Sequence, residues 1–235
     1  MWSRMPGLKL FISDYDLTLV DSLLDFYEAF ATSLREFGGG PVSFESFYEH
    51  FKSDRLNELL PRGVNPSLFW HFFRSNYSSR STRPYDFAGE FLRLLKSIGV
   101  KVLVVTGRFT PSTSIREDLR RFGLDEYVDE VYTAYDIPVL NGVEEHVFDK
   151  TWLIKWLLER YGVEPCEAVY IGDYTSDLES ALKAGVRFVG VSREHERRRV
   201  LEEKGARVFS DLIGVFTYLY TSLTLEQPCN GRQAP

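Results

Sequence analysis

"LKLFISDYDLTLVDS", residues 8–22, passes without a break from an apolar run into carboxylates and hydroxyls. Its first half, residues 8–13, has the length and the lack of alternation expected of a strand covered on both faces. Similar runs recur at "VKVLVVT" (100–106), "VDEVYT" (128–133), "AVYIG" (168–172) and "RFVGV" (187–191). Between them, "DFAGEFLRLLKSIG", "SIREDLRRFG", "DKTWLIKWLLERYG" and "SDLESALKAG" place apolar residues at helical spacing and each close on a glycine. From residue 84 on, helix and strand alternate. That order predicts a doubly wound, Rossmann-like α/β core with a parallel sheet.

Residues 22–83 interrupt the alternation. They show no convincing strand and read as helices rich in Phe, Tyr and Trp, divided by "GGGP" and "PRGVNP". The expected organisation is a core of residues 1–21 and 84–220, an inserted helical cap of residues 22–83, and a polar C-terminal tail, 221–235, prone to fraying.

At 235 residues and 44% hydrophobic content the chain can bury a full core and a second small one. A formal charge of −6 offers no long-range attraction for nucleic acid or an anionic membrane surface, so neither is expected as a partner. Two cysteines, Cys166 and Cys229, are too few for a disulfide framework and lack metal-ligand spacing. With no apolar run of about 18 residues and no leader-like segment, a cytoplasmic protein is expected.

In an open parallel sheet, ligands bind beyond the carboxyl ends of the strands. Asp14 and Asp16 stand at such an end. So do Thr106, Gly107 and Arg108 in "VVTGR", and Asp173 and Asp177 in "YIGDYTSD"; Lys150 opens a helix in "FDKTW". Singly, each has an ordinary reading as a loop acid, a cap or a surface charge. Their order along the chain resembles the haloacid dehalogenase-like phosphohydrolases, whose motifs are an Asp-x-Asp-x-Thr loop, a strand-end Thr or Ser, a Lys, and a Gly-Asp-x-x-x-Asp loop. "DYDLTLVDS" is similar to the phosphoglycolate phosphatase-like branch, in which a small helical cap follows the first motif. Leu17 departs from that branch, which usually has Gly there.

The resemblance implies a Mg²⁺-dependent phosphatase acting on a small phosphorylated metabolite. Asp14 would be the nucleophile. Mg²⁺ would be held by Asp14, the Asp16 carbonyl and Asp173. Lys150, Thr106 and the Gly107 amide would hold the phosphate, with Thr18 orienting the loop. Asp16, crowded by other acids, would keep a proton and shuttle it. Asp177 has two readings, outer support for the metal or the acid at a helix N-terminus. Arg108 either contacts substrate or pairs with an acid on the following helix. In the cap loop "HFKSDR" (50–55), Lys52 and Arg55 are expected to reach the substrate, favouring a small anionic or hydroxylated leaving group. Lys52 is the only lysine in the insertion, so a phosphonatase that forms an imine would have to use it. A sugar-phosphate mutase of the same superfamily and, in a different class, a non-catalytic phosphate-accepting binding module also stay open.

Overall fold

The computed structural model describes residues 7–225. Strand β1 (Leu10–Ser13) leads through the short β2 (Val20–Asp21) into three helices, α1 (Leu23–Glu36), α2 (Phe44–Lys52) and α3 (Pro66–Ser75), with a 3-10 turn at Leu56–Leu59. The chain returns along β3 (Arg83–Pro84) and then alternates: α4 (Ala88–Ser97), β4 (Lys101–Thr106), α5 (Ser112–Arg121), β5 (Glu130–Thr133) and a single turn, α6 (Asp136–Val139). The second half runs α7 (Thr151–Tyr161), β6 (Ala168–Gly172), α8 (Thr175–Lys183), β7 (Arg187–Val191), α9 (His195–Glu203), β8 (Arg207–Phe209) and α10 (Leu212–Leu225). Residues 221–225 of the expected tail thus continue α10, and residues 226–235, with Cys229, lie outside the described residues.

Six strands form one parallel sheet in the order β5-β4-β1-β6-β7-β8. β1 is central, with Leu10–Ser13 in register with Lys101–Val104 on one side and Ala168–Ile171 on the other. The chain builds outward to β5, then restarts across β1 at β6. The carboxyl ends of β4, β1 and β6 therefore flank a topological switch point, where a crevice opens. On one face Phe11, Val102 and Val104 pack with α4, α5 and α10; on the other Ile12, Leu103 and Tyr170 pack with α7, α8 and α9. This two-sided burial is why the strands read as unbroken apolar runs. Among the described residues no helix is long and apolar enough to cross a membrane.

The helical insertion has a core of its own, in which Phe30, Phe47, Phe51, Phe69 and Phe73 are buried together. Its two linkers are joined by a feature that no local sequence pattern announces, the antiparallel pairing of β2 with β3. Buried Asp25 fixes that base. It accepts hydrogen bonds from the Ser81 amide at 2.9 Å and the Thr82 hydroxyl at 2.5 Å.

Leu17 lies in the left-handed region at φ 57° and packs, half-buried, against the insertion. A side chain there costs about 1 kcal/mol of backbone strain, which its apolar contact offsets. Leu17→Ala keeps the strain and loses the contact, whereas Leu17→Gly loses the contact but sheds the strain. We expect Leu17→Ala to destabilise by about 1–2 kcal/mol and to be the less stable of the two variants, read from denaturant midpoints. A Gly variant less stable than the Ala variant would refute this account of the turn.

Candidate active site

Asp14 is buried at the end of β1, where its backbone N–H donates to the Ile171 carbonyl at 2.9 Å and ties the loop to β6. Its two side-chain oxygens are held separately, Oδ1 by Lys150 Nζ at 2.6 Å and Oδ2 by the Thr18 hydroxyl at 3.4 Å. Lys150 precedes α7, and its backbone N–H donates to Ser180 Oγ at 2.9 Å. The ammonium bridges Asp14 and Asp177, 2.6 Å from each. Burial disfavours its charge, but the two carboxylates outweigh burial and keep it protonated well above the ordinary lysine range.

Asp177 stands at the N-terminus of a helix, one of its two expected places, and also pairs with Lys150. Its Oδ2 accepts the Tyr174 amide at 3.3 Å in a capping box that opens α8. Its carboxylate lies so close to Gly172 that a Cβ there would stand 2.6 Å from Oδ2. The glycine before Asp173 is thus a packing requirement of Asp177.

Burial pushes the Asp14 carboxyl well above its usual range; Lys150 opposes the shift, and Asp177, Asp173 and Asp16 add to it. Asp173 is pushed up to about 7 by burial, with Arg197 opposing and Asp177 adding. The carboxylate oxygens of Asp14, Asp173 and Asp177 lie within 4.8 Å of one another, all on buried residues. Three hard oxygen donors whose charge is under-compensated fit a divalent cation such as Mg²⁺, with waters completing its shell.

The environment of Asp16 corrects the expectation. Its direct hydrogen-bond partners are an arginine and hydroxyls, not other acids. Arg108 clamps it through two bonds, Nε to Oδ2 at 2.8 Å and Nη2 to Oδ1 at 2.5 Å, while the Ser22 hydroxyl donates to Oδ1 at 2.8 Å. The guanidinium lies over the Tyr77 ring of the insertion, 4.0 Å from its centroid, and donates to Ser79 Oγ at 2.6 Å. Arg108 therefore pairs with the first motif rather than with an acid of α5.

Asp14, Asp16, Thr106, Gly107, Lys150, Asp173 and Asp177 all line one cavity between core and insertion. Lys52 and Arg55 do not. α2 buries Phe47 and Phe51, which turns Lys52 toward Glu49 at 2.8 Å and Glu196 at 3.9 Å. Arg55 is exposed and pairs with Glu58 at 3.6 Å. The loop reaches the cavity through Asp54 and Asn57 instead, and Asp54 accepts a hydrogen bond from the Tyr174 hydroxyl.

Two more arginines reach the cavity without belonging to any sequence motif. Arg197 of α9 holds Asp173 at 2.9 Å and lies 4.3 Å from the Phe51 ring centroid. Arg74 of α3 holds Glu144 through bonds of 2.5 and 2.6 Å. Both come from helices whose local pattern carries no such signal, so only the fold brings them in.

Acidic loops at the switch point of a doubly wound sheet, with an inserted helical unit above them, define an α/β enzyme built to handle a charged ligand. The sequence pattern of the haloacid dehalogenase-like hydrolases matches residues 11–191, and the chain belongs to that family. It is 24% identical over 228 residues to a phosphoglycolate phosphatase of Haemophilus influenzae, covering 90% of this chain and 98% of the relative. It is 26% identical over 223 residues to one of Pseudomonas savastanoi, covering 89% and 78%. A haloacid dehalogenase-like hydrolase of Streptococcus pneumoniae shares the fold with a TM-score of 0.69 at 16% identity, over 90% of this chain and 98% of that one.

Proposed function

We propose that the chain is a Mg²⁺-dependent phosphatase that hydrolyses a small phosphate monoester through an aspartyl-phosphate on Asp14. One observation carries the reading: a buried carboxylate at the end of the central strand, both oxygens held, beside a buried lysine and two further acids. Membership of the hydrolase family and the similarity to proteins named phosphoglycolate phosphatase support it.

An Asp14 oxygen attacks phosphorus and the bond to the leaving oxygen breaks; that oxygen takes a proton from Asp16, which must first leave the Arg108 clamp and take up a proton from solvent. A water then attacks phosphorus, Asp16 takes its proton, the bond to Asp14 breaks, and inorganic phosphate leaves. Lys150 faces the phosphate oxygens, with the Thr106 hydroxyl and the Gly107 amide as further donors. Arg108 is a positioning residue. It fixes the Asp16 carboxylate in the plane of the guanidinium, and Asp16 must leave that clamp to move a proton. Asp14, Asp173 and Asp177 would hold Mg²⁺, which when bound neutralises charge between the nucleophile and the phosphate.

Imine chemistry loses its support, because Lys52 is paired with Glu49 outside the cavity. The test is phosphate release from acetyl phosphate, phosphoglycolate and other small esters, with Mg²⁺ and after chelation. Release that needs the metal is expected. A folded, metal-loaded protein that releases phosphate from none of them would overturn the proposal.

A further inference from the structure

Building on the phosphatase reading, we infer that the leaving group is an uncharged alcohol with an apolar, ring-sized body, not a carboxylate-bearing one such as glycolate. Two independent features of the cavity point there.

The first is charge. Recognising a leaving-group carboxylate calls for a cation free to meet it. Among the described residues, each Lys or Arg lining the cavity is already paired: Lys150 with Asp14 and Asp177, Arg108 with Asp16, Arg197 with Asp173, and Arg74 with Glu144. The remaining basic side chain on the wall is His146, which is exposed. Lys52 and Arg55 lie outside. Apart from exposed His146, a glycolate carboxylate would have to compete with one of these carboxylates for its cation.

The second is the wall opposite the phosphate loops. Phe26, Leu56, Trp70, Phe73 and Tyr77 of the insertion face the cavity, and Phe148 closes it from the core side. The Trp70 and Phe148 ring centroids are 5.9 Å apart across the boundary between insertion and core. Phe148 is held at φ 71°, a conformation that side chains avoid. Its ring lies so close over Gly107 that a Cβ there would stand 2.7 Å from Phe148 Cδ1. A strained aromatic two residues before Lys150 is thereby kept between the phosphate end and the apolar end of one cavity. The cavity volume is about 320 Å³, at the lower end of the roughly 300–1,000 Å³ typical of small-ligand sites.

The experiment compares kcat/KM for phenethyl phosphate, phosphoglycolate and acetyl phosphate, the last having almost no leaving-group body. Burying a ring in such a site is worth on the order of thirtyfold, so phenethyl phosphate is expected to exceed phosphoglycolate by at least about tenfold. Phe148→Asn puts a residue that tolerates left-handed backbone in place of the ring, and Trp70→Leu keeps an apolar helix position. Either should lower phenethyl phosphate turnover about tenfold more than acetyl phosphate turnover. Phosphoglycolate preferred by the wild-type protein, or equal losses on both esters in both variants, would overturn the inference. Calorimetric binding of two unreactive analogues, phenylpropylphosphonate and phosphonopropionate, separates it from the parent reading. Tighter aryl binding without any phosphate release would sink the phosphatase and keep the pocket; tighter carboxylate binding would sink the pocket assignment itself.

Discussion

Asp14→Asn is expected to lower turnover of every phosphate ester by about 10⁴-fold or more while leaving the protein folded. The amide keeps the shape of the carboxylate but is a poor nucleophile. It also removes an oxygen donor from the group formed with Asp173 and Asp177. Stability should move the other way. In the metal-free protein Asp14 is one of several crowded carboxylates, and burial already pushes its proton affinity up. Neutralising it removes repulsion, and Lys150 keeps Asp177 as partner at 2.6 Å. The melting temperature of metal-free Asp14→Asn at pH 8 should therefore match or exceed that of the wild type, the pattern of an active site that trades stability for chemistry. Rate assays and thermal melts on the same preparation check both halves. Substantial turnover by the folded variant would end the covalent mechanism.

Withdrawal of Mg²⁺ is expected to abolish turnover and to expose a stability that depends on pH. Asp173 ionises near its ordinary value in the unfolded chain, but the fold pushes it up to about 7. The folded state thus binds this proton more tightly. The stability it contributes is complete below about pH 4 and is lost as pH rises through about 7. Asp14, also shifted upward, acts in the same direction. Metal-free protein should melt several degrees lower at pH 8 than at pH 5. Added Mg²⁺ should raise the melting temperature more at pH 8, where the carboxylates are ionised to receive it. Asp173→Asn should flatten the pH dependence and raise the Mg²⁺ concentration needed for turnover. A metal-free melt that rises from pH 5 to pH 8, or an equal Mg²⁺ shift at both, would contradict this picture of the acidic cluster.

The parallel core is legible because its strands are buried on both faces. "VKVLVVT" and "AVYIG" carry no polar alternation to confuse them with surface strands. β8 escapes a reading of the sequence for the opposite reason: only three residues long and partly exposed, it is defined by its pairing with β7. The β2–β3 ribbon joins residues more than sixty positions apart, and no local pattern records that meeting. α10 is equally hard to read. "LIGVFTYLYTSLTL" is rich in β-branched and aromatic residues, and its packing on α4 and β7 decides its state.

Hydrophobic pattern and chain direction are enough to specify the parallel core, the helical insertion and the set of acids, Lys150 and Thr106 that meet at the switch point. The ends of β1, β4 and β6 carry Asp14, Asp16, Thr106 and Asp173, while Lys150 opens α7 and Asp177 lies in α8; the order in which the strands pair is read from the sheet itself. How the acids are partnered, and what faces the leaving group, is set by tertiary contacts alone. Arg108, Arg197 and Arg74 reach their carboxylates across 92, 24 and 70 residues of chain, and such pairings leave no periodicity to read. Lys52 and Arg55 show the same limit from the other side. Their charge is visible in the sequence, but the direction of Lys52 is set by which face of α2 buries Phe47 and Phe51 against the insertion's core, and Arg55, beyond the end of α2, pairs with Glu58 at the surface.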